Sequence, residues 1–290
     1  MNSWERAERL DADHLTDALY ERTGVRLTVE GPCSGGQVGA AYVRWAHGRR
    51  SVLKWRPRTA RSDLESGPLA VCEALRGAGY PCPATELTAQ VGHAVVHVQE
   101  LLPGAPIHLM DEDGLDQVLA LNDLQAGALK AHPGVPSARL YLTRDGPGFC
   151  LHEPLRRHSR RTAELERRVR DVGARHPDVL RGDDALHLDF HPGNLLHVDG
   201  RITGVVDWDG AARGDRRLDL VTLRFGLHAP GRQSGPGVVE RLDALLDALP
   251  ADVLGPAWAH MSLRMTDWAV RHFTPDEVRH WLDLAERRLG

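Results

Sequence analysis

The run Leu186-His187-Leu188-Asp189-Phe190-His191-Pro192-Gly193-Asn194-Leu195-Leu196, with Asp207 thirteen residues beyond Asn194, decides how the rest of the chain is read. It has the form of a strand end, a loop and a second short strand. The next strand, Ile202-Thr203-Gly204-Val205-Val206, ends at Asp207, and Asp199-Gly200 is the turn signal between the two strands. An acid and an amide on one loop, with an acid at the end of the following strand, can converge on one point. That set suits phosphoryl transfer. A carboxylate at Asp189 accepts or orients the proton of an attacking hydroxyl. The amide oxygen of Asn194 and the carboxylate of Asp207 are hard oxygen ligands of the kind that bind magnesium on a triphosphate.

The pattern His187-x-Asp189-x4-Asn194 followed by Asp207 resembles the catalytic loop and metal-binding acid of the eukaryotic-like kinase fold. The wording His-Leu-Asp-Phe-His-Pro-Gly-Asn, then Val-Val-Asp-Trp-Asp, is most similar to the aminoglycoside phosphotransferase family of small-molecule kinases. The resemblance implies an α+β, two-lobed, protein-kinase-like fold. Residues 1–100 would form a β-sheet N-terminal lobe that binds the nucleotide. Residues 101–290 would form a mainly helical C-terminal lobe for catalysis and the acceptor. It also implies ATP or GTP as cofactor, with one or two magnesium ions, and a small-molecule hydroxyl acceptor such as an aminoglycoside or another antibiotic. Leu188 stands where protein kinases carry Arg and many antibiotic kinases carry Gly, which leaves the acceptor open. Trp208 and Asp209 stand in place of the Phe and Gly of the protein-kinase Asp-Phe-Gly triplet. His187 is expected to bond backbone around Asp207 rather than carry a proton.

Upstream, residues 11–23 have helical periodicity and Gly24 stops them. Strands follow at 27–30, 40–45 and 51–55. The glycine-dense turn Gly31-Pro32-Cys33-Ser34-Gly35-Gly36-Gln37-Val38-Gly39 lets backbone N–H groups approach phosphate oxygens, with Ser34, Gly35 and Gly36 as its candidate contacts. It lacks the full Gly-x-Gly-x-x-Gly of protein kinases. Lysine occurs only at Lys54 and Lys130 in a chain rich in arginine, and alternation sets Lys54 on the strand face opposite Leu53. By resemblance, Lys54 contacts the α- and β-phosphates and pairs with a glutamate on the helix expected over 62–77. Glu65 is preferred for that role, and Glu73 is the alternative. Gly67-Pro68 complicates the helix start. The apolar run 94–102 corresponds to the fifth strand and hinge of the resembled fold. Backbone at Gln99 to Leu102, with Gln99 and Leu101 as the named contacts, would take the adenine edge.

Downstream, helices are expected over 114–131, 164–172, 238–249, 257–270 and 275–289, with a glycine- and proline-rich loop over 133–155. Asp219, near the start of a helix after Asp215, is expected to cap that helix and to bind the catalytic-loop backbone. An acceptor pocket for polycations would need carboxylates, for which Asp183, Asp184, Asp215, Asp267 and Glu153 are candidates.

Net charge of −4 gives no reason to expect nucleic acid as partner. The four cysteines lack zinc-type spacing and read as free thiols, and no apolar run reaches the roughly 20 residues of a membrane span, so a cytoplasmic protein is expected. Two rivals stand beside the kinase. His187, Asp189, His191, Asp207 and Asp209 could instead form a metallohydrolase cluster, or the chain could be a nucleotide-binding regulator without turnover. The first leaves Lys54, the glycine loop and Asn194 without roles. The intact Lys54, Asp189, Asn194 and Asp207 argue against the second.

Overall fold

The computed structural model describes residues 9–33 and 39–289. The chain divides into two compact units, Met1–Pro103 and Gly104–Gly290. The first opens with helix α1 (Ala12–Thr23), capped by the Asp11 carboxylate, which accepts from the His14 N–H at 3.1 Å. Gly24 ends it in the left-handed conformation (φ 73°), where its N–H reaches Tyr20 O; glycine takes this stop without Cβ strain.

Strands β1 (Leu27–Pro32), β2 (Ala40–Trp45) and β3 (Arg50–Pro57) follow. Next come α2 (Arg61–Leu64), a wide turn at Glu65–Leu69 and α3 (Ala70–Gly77). The single helix expected over 62–77 is thus interrupted. Pro68 brings no N–H to the helical ladder and Gly67 leaves helical geometry (φ −106°, ψ −107°), so the turn widens there.

Strands β4 (Thr85–Val91) and β5 (Ala94–Glu100) complete one antiparallel sheet of order β1-β2-β3-β5-β4. The sequence gives β4 no clear signal, because Thr, Glu and Gln interrupt its apolar residues. Alternation along β3 sends Leu53 and Trp55 into a core with Leu15, Leu19, Val43, Val96 and Val98. Lys54, between them, faces the other way and is half-buried.

The second unit begins with the short strands β6 (Ala105–Pro106) and β7 (Leu109–Met110) and helix α4 (Glu112–Leu124). The sequence predicts this helix to continue to residue 131, but it stops at Leu124. Its continuation is captured by the segment before the central loop: the Gly127 N–H donates to the Asp184 carboxylate at 2.7 Å, and the Leu129 N–H donates to Asp183 O at 2.9 Å. Helices α5 (Glu153–His158) and α6 (Arg160–Arg175) follow. The second is longer than the periodicity over 164–172 predicts, since a capping box of Ser159 and Thr162 starts it earlier.

Strands β8 (Asp184–Leu186), β9 (Leu195–Val198), β10 (Arg201–Val205) and β11 (Ala212–Gly214) flank the central motif. The β9–β10 hairpin turns at Asp199 and Gly200, both with positive φ (48° and 74°), as a tight two-residue turn requires. β8 pairs with β11 rather than with β9.

The rest comprises α7 (Arg217–His228), the short strand β12 (Gln233–Ser234), α8 (Val238–Asp247), α9 (Ala251–His272) and α10 (Pro275–Ala285). Helix α9 starts at Ala251 rather than at residue 257 and carries Pro256 inside it. Phe225 on α7 packs on Trp258 of α9 and Trp281 of α10, with ring centroids 4.9 and 6.4 Å away. The Trp258 Nε1–H is satisfied by Ala285 O at 2.9 Å. The architecture is α+β, with an antiparallel sheet in the first unit and helices dominating the second. No helix among the described residues is long and apolar enough to cross a membrane.

Candidate active site

The loop after β8 is held from beneath by one buried carboxylate. Asp219 of α7 is fully buried; its Oδ2 accepts from the His187 N–H at 2.7 Å and Gln125 Nε2 at 2.9 Å, and its Oδ1 accepts from the Leu188 N–H at 2.9 Å. The expected contact with loop backbone is therefore made, whereas the expected helix cap is not: Asp219 lies in the first turn of α7 with its carboxylate turned to the loop, and Asp215 instead accepts from the Arg217 N–H at 3.0 Å. These bonds fix Leu188 in the left-handed region (φ 64°), a conformation that costs an L-residue about 1–2 kcal/mol and needs such support.

His187 is buried and both its ring nitrogens are used. Nε2 donates to Val206 O at 2.9 Å and Nδ1 accepts from the Asp189 N–H at 3.2 Å. Its ring lies 4.5 Å from that of Trp208. Burial pushes its pKa below the ordinary histidine value, so it stays neutral. This is the backbone-binding role expected of it. Among the described residues, no group of three or more His, Cys, Asp or Glu is placed to hold a metal ion. The cluster that a metallohydrolase requires is not assembled there.

The structure brings Asp189 and Asn194 into direct contact and ties the Asn194 backbone to Val206, the residue before Asp207. Asn194 is buried, and its Nδ2 donates to Asp189 O at 2.9 Å and to Asp189 Oδ2 at 3.2 Å. With the NH₂ end spent on Asp189, the amide oxygen is the end left for a cation. The Val206 N–H donates to Asn194 O at 2.9 Å, tying the loop to the exit of β10, where Asp207 turns into the left-handed region (φ 67°). An amide oxygen beside a carboxylate is a donor set that fits a hard divalent ion such as magnesium.

Asp189 itself keeps 37% side-chain exposure but is surrounded by charge. Burial alone would raise its pKa. Arg264 above all, with His191 and His187, outweighs that and holds the carboxyl well below the usual range. Arg264 Nη2 donates to Asp189 Oδ1 at 2.9 Å, and its Nη1 donates to Leu188 O. His191 Nε2 lies 3.5 Å from Asp189 Oδ2, and its Nδ1 accepts from the Gly193 N–H at 3.0 Å.

Arg264 had no place in the sequence reading. It is 75 residues from Asp189, and its trace in the sequence is a single charged residue in the run Ala-His-Met-Ser-Leu-Arg-Met-Thr on α9.

In the first unit, Lys54 lies in β3 opposite Ala40 on β2 and His97 on β5. Glu65 is exposed and paired with Arg61, one turn before it, at 2.6 Å; Glu73 is also exposed. Gln99 is buried in β5 opposite Val52, and Leu101 follows the strand end. Ser34, Gly35 and Gly36 lie outside the described residues.

The five acids considered for a polycation pocket are engaged within the second unit. Asp183 pairs with Arg213, Asp215 with Arg217 (2.6 Å), Glu153 with Arg157 (2.6 Å) and Asp267 with Arg271 (2.7 Å). Asp184 accepts from the N–H groups of Gly127 and Arg216.

A family model described as the phosphotransferase enzyme family matches residues 31–263. No curated protein matches the sequence. Among solved structures, aminoglycoside phosphotransferase APH(4)-Ia aligns with a TM-score of 0.65 at 15% identity, covering 96% of this chain and 98% of that one. A thermostable mutant of APH(4)-Ia in ternary complex with AMP-PNP and hygromycin B aligns with a TM-score of 0.65 at 17% identity, covering 95% and 97%. A proposed fructosamine-3-kinase from Haemophilus somnus 129PT aligns with a TM-score of 0.56 at 12% identity, covering 95% and 97%. At these identities the likeness speaks for the fold.

Proposed function

The chain belongs to the phosphotransferase enzyme family, and on that premise we propose that it transfers the γ-phosphate of ATP to a hydroxyl of a small molecule. The observation that carries this reading is the pair of bonds from Asn194 Nδ2 to Asp189, with the Asn194 backbone O accepting from Val206, the residue before Asp207. Asp189 receives and orients the acceptor hydroxyl. Its carboxyl stays ionised, so it serves as hydrogen-bond acceptor for that hydroxyl at every ordinary pH. Asn194 and Asp207 hold magnesium, which when bound supplies positive charge against the phosphate oxygens. Lys54 contacts the α- and β-phosphates. Glu65 is the acid proposed to pair with Lys54, which requires it to exchange its Arg61 partner. Backbone at Gln99 and Leu101 takes the adenine edge, and Ser34, Gly35 and Gly36 cover the phosphates. Catalysis is then positioning and electrostatics rather than covalent chemistry.

The acceptor is a hydroxylated small molecule, either an antibiotic, as hygromycin B in the complex of APH(4)-Ia, or a metabolite such as a sugar or amino alcohol. One observation favours the second. Each candidate acid for binding a polycation already holds an arginine or backbone N–H groups, so several ammonium groups would find few free carboxylates among them. We place the enzyme in the cytoplasm, where ATP is available and the four free cysteines stay reduced.

The test is ADP release from Mg-ATP across aminoglycosides, other hydroxylated antibiotics, sugars and amino alcohols, with Asp189→Ala as blank and ATP binding followed by calorimetry. A signal on an acceptor, absent in the blank, supports the kinase and names its substrate class. ATP binding with no transfer to any acceptor would revive the regulator reading, and failure to bind ATP would sink the proposal.

A further inference from the structure

We propose that Arg264, on α9, is a positioning residue for phosphoryl transfer, setting the rotation of the Asp189 carboxylate so that Oδ2 is the oxygen offered to the acceptor. The inference rests on the assignment of Asp189 as the residue that receives the acceptor hydroxyl. Its basis is a two-point grip. One guanidinium nitrogen donates to Leu188 O and the other donates to Asp189 Oδ1 at 2.9 Å, so a single planar group spans the peptide before the acid and the acid itself.

The grip falls where the loop most needs it. Leu188 is left-handed (φ 64°), and its peptide is bonded on both sides: the N–H is taken by Asp219 from α7 and the carbonyl by Arg264 from α9. Two helices far apart in sequence therefore fix one residue's backbone, and the residue after it is Asp189.

The two carboxylate oxygens are not equivalent. Oδ1 has the charge-assisted bond from Arg264. Oδ2 has only longer contacts, with Asn194 Nδ2 at 3.2 Å and His191 Nε2 at 3.5 Å. A carboxylate has about four acceptor sites, so neither oxygen is saturated, and the long contacts at Oδ2 yield to an incoming hydroxyl more readily than the short charge-assisted bond at Oδ1. Lysine at position 264 could meet one of the two acceptors as a point charge but could not bridge both with a rigid fork. Arg264 is 23% exposed, and Asp189 is its only ion-pair partner among the described residues.

A cycle of four proteins carries the test (wild type, Arg264→Gln, Asp189→Asn and the double variant), with Arg264→Ala and Arg264→Lys beside it. Each is assayed for ADP release from Mg-ATP with water alone and with the acceptor found in the panel above. Arg264→Gln is expected to lower kcat roughly tenfold to a hundredfold, as a misplaced group does, with calorimetric ATP affinity within about twofold of wild type. In the Asp189→Asn background the same change should have no further effect, because Arg264 acts through Asp189. Guanidinium ion should restore part of the activity of Arg264→Ala, and Arg264→Lys should fall between wild type and Gln.

An equal loss in both backgrounds, or a loss matched by weakened ATP binding or a lowered Tm, assigns Arg264 to the scaffold and overturns the proposal. So does a kcat for Arg264→Gln within roughly threefold of wild type. If Arg264→Gln does not fold, Arg264→Lys is compared in the same two backgrounds and judged by the same coupling. Full activity in Asp189→Asn, or a silent wild type, would instead overturn the underlying assignment of Asp189.

Discussion

Replacing Asp219 by alanine removes the carboxylate on which the loop is built. Three donors end on it: the backbone N–H groups of His187 and Leu188 and the Gln125 side-chain amide, at 2.7, 2.9 and 2.9 Å. All lie in the interior, where Asp219, Gln125 and His187 are fully buried. A buried donor left without an acceptor costs about 1–3 kcal/mol, and disrupting a buried charged network costs about 3–5 kcal/mol in total. The total of about 3–5 kcal/mol is the appropriate figure, rather than three times the cost of one donor, because water can enter the space left by the carboxylate and answer part of the demand. At roughly 2–4 °C per kcal/mol for a body of this size, Tm should fall by about 6–20 °C. Asp219→Asn keeps the volume and one acceptor, and its loss should be smaller. The assay is urea unfolding followed by tryptophan fluorescence, with Cm and slope fitted separately. Leu188 should relax once its N–H is released, so transfer should drop more than stability alone explains at a temperature where the variant is folded. A loss under about 1 kcal/mol with transfer intact would refute the account of how the loop is held.

Gly226 of α7 lies against the loop; a Cβ there would overlap the His191 Cβ and sit 3.3 Å from Pro192 Cδ. Gly226→Ala gains about 1 kcal/mol of helix propensity against about 1–3 kcal/mol of overpacking, so Tm should fall by up to about 8 °C while kcat falls, and an unchanged kcat would exclude this packing constraint. His260 is buried with its Nδ1 2.8 Å from Leu140 O, and burial pushes its pKa down to about 4 from the ordinary 6.5. The unfolded chain therefore takes up this proton first: the stability is whole above pH 6.5 and is lost as pH falls toward 4, with a slope of at most about 1.4 kcal/mol per pH unit. Burial also pushes His228 and His272 down to about 4, so urea titrations at several pH values should show a shared slope, which His260→Gln should reduce by at most about 1.4 kcal/mol per pH unit. Asp207→Ala is expected to weaken Mg-ATP binding in calorimetry, and an unchanged magnesium dependence would remove it from the proposed metal set.

Much of the site was legible because its chemistry is local. Asp189, Asn194 and Asp207 are separated by a loop and a hairpin, and Asp199-Gly200 specifies that hairpin through two positive φ angles. The strand alternation that buries Leu53 and turns Lys54 to the other face was likewise written in β3 itself. What the sequence did not reveal depends on partners distant in the chain. α4 ends at Leu124, although its apolar pattern runs on, because Asp183 and Asp184 compete for the next N–H groups. β8 and β11 are three residues each, and neither is recognisable without the other. The pattern over 257–270 misses the first turns of α9, which starts at Ala251 and runs through Pro256. Arg264 is the clearest case, since nothing near it in sequence points to Asp189. The five acids were candidates for a pocket that binds polycations, and only the arginines and backbone N–H groups beside them show how they are used.

The most direct test of the central claim is phosphorus NMR of the reaction of Mg-ATP with the acceptor identified in the panel, run on wild type and on Asp189→Asn. The account predicts one new phosphomonoester for each ADP formed by the wild type. It also predicts a loss of roughly a hundredfold or more in the variant, with calorimetric ATP affinity retained. A phosphomonoester formed equally fast by Asp189→Asn, or ADP formed by the wild type with only inorganic phosphate as the second product, would contradict it.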